Sequence, residues 1–126
     1  MDASAQNLTG VWQGLYTYPD GLSVSFVATL IESGSALTGS THEPSLTGTL
    51  YASLAGSRDG SAVAFRKTYE GAGPSYGSVD YAGTLSADAS EIEGRWIIPG
   101  VWSGKFLMIR PGRKAARVER AVATRA

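Results

Sequence analysis

Glu91-Ile-Glu-Gly94-Arg-Trp96-Ile-Ile98-Pro99-Gly100-Val-Trp102-Ser-Gly104-Lys-Phe106-Leu-Met108-Ile109 is the stretch that decides the fold. Every second residue of its first half gives Ile92, Gly94, Trp96 and Ile98. Every second residue of its second half gives Trp102, Gly104, Phe106 and Met108. A period of two, with apolar and aromatic residues on one side, marks a half-buried strand. Pro99-Gly100 between the halves is a turn signal, so the stretch reads as a hairpin. Each inward set also carries a glycine. Glycine weakens a strand unless it relieves crowding or lets the chain bend, and a tightly curled sheet needs both.

Upstream the same pattern recurs. Leu8, Gly10, Trp12, Gly14, Tyr16 and Tyr18 share a side, as do Val24, Phe26, Ala28 and Leu30. Leu46, Gly48, Leu50, Ala52 and Leu54 form another set, and Val79, Tyr81, Gly83 and Leu85 a further one. Turn clusters separate the runs at Pro19-Asp20-Gly21, Ser33-Gly34-Ser35, Glu43-Pro44-Ser45, 56–61, 71–75 and 87–90. Eight strands are predicted, over 8–18, 22–32, 36–43, 46–56, 61–70, 76–86, 91–98 and 101–110. Short turns and the lack of a crossover-length helix make an all-β, antiparallel up-and-down meander. With eight strands it can close into a β-barrel and so abolish its edges.

The chain has 126 residues, the usual length of one domain. Residues 1–110 are read as that β-barrel domain and 111–126 as a C-terminal tail. With 43% hydrophobic and 17% charged residues, the chain can bury a core. Its longest apolar runs are about four residues, as at 106–109, against roughly 20 for a membrane helix, so no membrane span is expected. There is no cysteine and a single histidine, which removes thiolate chemistry and multi-histidine metal sites. Neither a metal nor a cofactor is expected. Met1 to Asn7 lacks the basic and apolar regions of a secretory signal, and the expected location is cytoplasmic.

Formal charge is zero but unevenly placed. Arg58, Arg66, Lys67, Arg95 and Lys105 face ten acidic residues over 1–109, while Arg110, Arg113, Lys114, Arg117, Arg120 and Arg125 face Glu119 alone beyond. An acidic body argues against a nucleic-acid partner. The basic tail has Ala115, Val118 and Val122 at helical spacing. Two readings stand for it: a solvated tail, or a short helix docked on the body or on a partner.

Leu8-Thr9-Gly10, Leu37-Thr38-Gly39 and Leu46-Thr47-Gly48 repeat, with Tyr81-Ala82-Gly83 as a variant. The triplet reads as a structural repeat of barrel strands rather than a phosphate loop, because no helix follows any copy.

Gly10-Val11-Trp12 on a first strand, followed by a β meander, resembles the calycin superfamily, and within it the avidins most. Leu8 to Trp12 is similar to their first strand, Ala36 to Gly39 to their third and Leu46 to Gly48 to their fourth. Val63-Ala64-Phe65-Arg66 resembles the fifth, with Phe65 in place of Trp. Asp80-Tyr81-Ala82-Gly83 resembles the sixth, with Tyr81 in place of Trp, and Arg95 to Ile98 the seventh, with Trp96 kept. The resemblance implies a ligand-binding barrel. It does not carry biotin chemistry over. Residues 13–18 lack the family's Asn and Ser, Thr41 stands for its Tyr, Glu43 for its Ser and Val79 for its Thr, and no Asp falls near 108–110. Each buried polar group left unmatched would cost about 1–3 kcal/mol.

Alternation places polar groups inside: Tyr16, Tyr18, Glu43, Lys67, Tyr69 and Tyr81. Glu43 and Lys67 are expected near one barrel mouth. They either orient a ligand at the polar end of an apolar pocket or snorkel out to water. With Phe65, Tyr81 and Trp96 as aromatic walls, the candidate ligand-binding set is Tyr16, Tyr18, Glu43, Phe65, Lys67, Tyr69, Tyr81 and Trp96. The ligand expected is a small hydrophobic or aromatic molecule, with Lys67 suited to a carboxylate if Glu43 does not neutralise it. His42 reads as an exposed residue ending strand 3, or else as a base or ligand. No nucleophile elbow is present, so no catalytic residue is named. An enzyme using Glu43, Lys67 or the tyrosines for proton transfer is one alternative, and an interaction module with a filled barrel is another. Val11, Leu15, Val27, Ile31, Ile97, Leu107 and Ile109 are predicted to face outward on strands 7, 8, 1 and 2. They would form a contiguous apolar patch through which a homo-oligomer assembles.

Overall fold

The computed structural model describes residues 7–71 and 77–110, all in one all-β barrel. Its strands are β1 (Gly10–Thr17), β2 (Ser23–Ser33), β3 (Ala36–Ser45), β4 (Gly48–Asp59), β5 (Ala62–Tyr69), β6 (Ser78–Leu85), β7 (Glu91–Ile98) and β8 (Trp102–Ile109). Each pairs antiparallel with its sequence neighbours. β1 also pairs with β8, Gly14 opposite Met108 and Tyr16 opposite Phe106, which closes the barrel in up-and-down order. The tail 111–126 lies outside the described residues, as does most of the turn expected at 71–75.

Glycine explains how bulky rings fit a barrel of this size. Gly14 pairs with Phe26, and a Cβ at Gly14 would stand 2.2 Å from the Phe26 ring. Gly104 pairs with Trp96, where a Cβ would meet the Thr17 carbonyl at 2.0 Å and the indole at 2.7 Å. Each ring therefore lies flat over a strand that offers no side chain beneath it.

Up-and-down topology gives the barrel two distinct ends. The β2–β3, β4–β5 and β6–β7 turns mark one end, here called the floor, and the β1–β2, β3–β4 and β7–β8 turns mark the other, the mouth. Leu8, Trp12, Leu30, Leu37, Ile92 and Met108 are fully buried at the floor. There Trp12 Nε1 donates to the Leu8 carbonyl at 3.0 Å. Arg110 lies 4.7 Å over the Trp12 ring and donates to the carbonyls of Ala89 and Asn7. Buried Arg58 joins Glu32 at 3.0 Å, and the same carboxylate oxygen accepts from the Leu8 amide.

Several sequence expectations are corrected. The β3–β4 turn is not at Glu43-Pro44-Ser45. Ser45 pairs with Gly48, and its hydroxyl donates to the Gly48 carbonyl, so Leu46-Thr47 is the turn. Leu46, expected inside, is 107% exposed at the tip. Trp102, also expected inside, opens β8 at the rim and is 45% exposed. Ile109 is buried although it stands outside the core cluster. The Leu-Thr-Gly copies share no structural role: one enters β1 at a positive-φ Gly10, one lies inside β3, and one is the exposed turn. The outer apolar residues are also less contiguous than expected. Leu15 faces Leu107 across the ladder, but Ile97 faces Ser103, with Arg95 and Lys105 between it and Leu107.

Candidate functional site

Beneath the mouth, three strands deliver polar side chains to one point. β1 supplies Tyr16, β3 supplies Glu43, and β5 supplies Lys67 and Tyr69, each on the inward parity of its strand. The Glu43 carboxylate is the hub. Its Oε2 accepts from the Tyr16 hydroxyl at 2.6 Å. Its Oε1 accepts from Lys67 Nζ at 2.8 Å and from the Tyr69 hydroxyl at 2.8 Å. Both charged side chains are buried, at 1% and 3% exposure, so neither snorkels to water. β2 adds Phe26. The ammonium lies 4.7 Å from the Phe26 ring centroid, 4.9 Å from those of Tyr16 and Tyr69, and 5.8 Å from that of Tyr81. A desolvated cation gains from such faces what water no longer supplies.

Burial pushes the Lys67 ammonium below the ordinary lysine range, while the charge and hydrogen bond of Glu43 oppose that shift. The Tyr16 phenol is driven well above its ordinary value, first by burial and then by donating to Glu43. Tyr69 is raised for the same leading reason, with the Glu43 charge second. Both hydroxyls therefore act as donors, not as bases. A buried carboxylate that accepts from three donors is the arrangement a buried ion pair needs. On the cluster's own face of β3 a buried hydroxyl is left over. Thr41 Oγ1, two residues before Glu43 on the same face of β3, has no hydrogen-bond partner. It sits between inward Ala28 and Ala52 on the flanking strands.

The eight residues singled out from sequence divide into three groups. Tyr16, Glu43, Lys67 and Tyr69 form the polar cluster. Tyr18 and Trp96 stand beside it: Trp96 is edge-on to Tyr16 and Tyr18, with centroids 6.1 and 5.3 Å apart. Trp96 Nε1 also donates to the Thr17 carbonyl, which ties β7 to the end of β1. Phe65 and Tyr81 stack at 5.1 Å and pack on Phe106, deeper in the core. His42 is exposed on the outer face beside Tyr51. Phe26 and Thr41 were not among the candidates. Phe26 was recognisable from its inward parity, whereas nothing in the sequence signals that the Thr41 hydroxyl lacks a partner.

Above the cluster, inward Tyr18, Val24 and Leu50 are only half-buried, as is Tyr69 at its upper edge, in contrast to the sealed floor. A recess of about 360 Å³ adjoins this rim, lined by Pro19, Ile98, Val101 and Trp102 among others. A separate recess of about 730 Å³ lies on the outside of β4–β7, between Arg66, Asp80 and Arg95. No group of three or more metal-ligating side chains occurs among the described residues.

No protein-family model matches the chain, and no curated protein sequence does. Solved structures do. A de novo designed fluorescence-activating β-barrel superposes with a TM-score of 0.64 at 16% identity, over 88% of this chain and all of the design. A redesigned β-barrel, mFAP1, bound to DFHBI, gives a TM-score of 0.68 at 16% identity, over 87% of this chain and all of that one. Another redesigned β-barrel gives 0.67 at 19%, over 89% of this chain and 98% of that one. At these identities the likeness is one of fold, and the avidin resemblance gains no support from it. What the chain shares with these structures is the closed, eight-stranded, antiparallel up-and-down β-barrel.

Proposed function

We propose that the protein binds a small, flat, largely apolar molecule at the mouth of its barrel. The observation that carries this reading is the half-buried collar of Tyr18, Val24 and Leu50, with Tyr69 reaching from it into the buried polar cluster directly below. Aromatic walls give contact area with little side-chain entropy to lose, and a few fixed polar groups below them set orientation. Three of the similar barrels are bound to DFHBI, a property of those proteins that supports the same class of ligand here.

The ligand's polar end is neutral rather than anionic. A carboxylate was attractive only if Lys67 were unneutralised, and Glu43 holds it at 2.8 Å. Lys67 spends one N–H on Glu43 and Thr41 Oγ1 is unpaired, so a carbonyl or hydroxyl suits the hydrogen-bonding capacity left over. A filled-barrel reading has one observation in its favour, the four rings packed around Lys67 in the middle of the barrel. Assembly of two copies through Val11, Leu15, Val27 and Leu107 is compatible with either reading.

The test is a fluorescence titration with a flat, uncharged aromatic probe. Saturable tryptophan quenching that weakens in Trp96→Phe, with no response to biotin, supports the ligand-binding reading. No saturable response from the folded protein favours the filled barrel.

A further inference from the structure

The two ends of the barrel differ in what their turns present. At the mouth, Leu22 is 66% exposed, Leu46 fully so, Val101 60% and Trp102 45%. These residues come from three separate hairpins, and each stands at or beside a turn. The floor turns at Ser33–Ala36, Asp59–Ala62 and Ser86–Ser90 expose no large apolar residue and carry Asp59 and Asp88.

Backbone hydrogen bonding within the mouth turns is largely satisfied internally. Tyr18 N donates to the Leu22 carbonyl at 2.8 Å, and Gly21 N to the Tyr18 carbonyl at 2.9 Å. Leu22 N donates to Asp20, Val101 N to the Ile98 carbonyl, and the Ser45 hydroxyl to the Gly48 carbonyl. Such turns can leave bulk water without stranding many polar groups, the main obstacle to irregular backbone in an apolar phase. Across 18–22, 45–48 and 98–102 the one formal charge is Asp20, with no lysine or arginine.

We infer that the mouth rim docks on an electrically neutral phospholipid surface, with Leu22, Leu46, Val101 and Trp102 entering the headgroup boundary. Scattered single side chains on separate turns match a fluid apolar phase, which needs no complementary pockets. A folded protein partner would need a pocket for each. Trp102 has the amphipathic ring that settles at such boundaries, and the absence of cations on these turns points to zwitterionic rather than anionic lipid. The inference rests on the ligand-binding reading for its purpose: the mouth that takes up an apolar molecule would face the phase that dissolves it.

The experiment uses phosphatidylcholine vesicles, with and without one-fifth phosphatidylserine. Trp12 and Trp96 are buried and Trp102 is not, so doxyl-labelled phosphatidylcholine reports Trp102. The expected result is vesicle co-flotation with quenching by shallow labels, unaffected by phosphatidylserine. The combined variant Leu22→Ser, Leu46→Ser should then lose at least tenfold in apparent partitioning. Its circular dichroism and its lipid-free probe titration should be unchanged, which separates loss of docking from loss of ligand binding. No co-flotation at millimolar lipid overturns the inference. So does binding that requires phosphatidylserine, undiminished binding by the variant, or a rim-dependent dimer in light scattering without lipid.

Discussion

At the floor, Leu8, Trp12, Leu37, Ile92 and Met108 have essentially no exposure, and Arg110 covers the Trp12 ring. At the mouth, Tyr18, Val24 and Leu50 stay half-buried over a carboxylate, an ammonium and two phenols, those of Tyr16 and half-buried Tyr69. Both ends contain an ion pair with at least one buried partner, but to different effect. Arg58 and Glu32 lie beside backbone groups, with Glu32 also taking the Leu8 amide and Arg58 reaching the Gly60 carbonyl, so that pair fastens the chain's entry to a turn. Lys67 and Glu43 share hydrogen bonds among side chains from three strands and leave hydrogen-bonding capacity unspent. One end is built for closure. The other carries a cost in polar burial.

That contrast can be broken most sharply by truncating a tryptophan at each end. Trp12→Ala should destabilise the barrel by about 3–5 kcal/mol through lost core packing. Trp102→Ala should cost under about 1 kcal/mol, as surface changes do. Denaturant unfolding compares the two, and similar losses would erase the distinction between sealed and open ends.

The polar cluster answers to a different pair. Lys67→Met leaves the buried Glu43 carboxylate without its counter-charge and should cost about 3–5 kcal/mol. Adding Glu43→Leu should recover most of that loss, because the unpaired charge leaves with it. If the double variant is no more stable than the single one, the pair is not the unit described here.

Gly104→Ala should cost about 1–3 kcal/mol or more, because the new methyl meets the Thr17 carbonyl and the Trp96 indole. Thermal melts check it, and the intrinsic fluorescence of Trp96 should shift in the variant.

A smaller effect is expected from pH. Folding raises the Tyr16 and Tyr69 phenols above their ordinary value of 10.0. Above that value the unfolded chain binds fewer protons than the folded one, so the stability these groups contribute is present below pH 10 and is lost as pH rises beyond it. Lys67 acts in the opposite sense, since its lowered value makes stability rise as pH approaches the lysine range. Absorbance at alkaline pH should show at least two tyrosines, Tyr16 and Tyr69, ionising only with unfolding. Six reversible ionisations in the folded protein would place the phenols in water.

Period-two alternation made the fold readable. The inward sets at Trp96, Phe106 and Phe26 each imply a cross-strand glycine, and the register supplies Gly104, Gly94 and Gly14. The same parity brought Tyr16, Glu43, Lys67 and Tyr69 to the interior. It failed where a turn moved. Glu43-Pro44-Ser45 carries turn residues, yet Pro44 sits in β3 opposite Thr49, and a two-residue shift turned Leu46 from a core residue into a rim residue. Alternation also carries no depth. It could not separate Tyr18 at the collar from Phe65 in the core, nor report that Thr41 lacks a partner. Those facts depend on the stagger of eight strands around a closed sheet.

The most direct test of a binding mouth on a sealed floor is a proton–nitrogen correlation spectrum recorded while a flat, uncharged aromatic probe is added. Saturable shifts should cluster at Tyr18, Val24, Glu43, Leu50, Tyr69 and Trp102, and leave Leu8, Leu37, Val63 and Ile92 unmoved. Shifts centred on the floor residues, or confined to the outer recess around Arg66 and Arg95, would contradict the account.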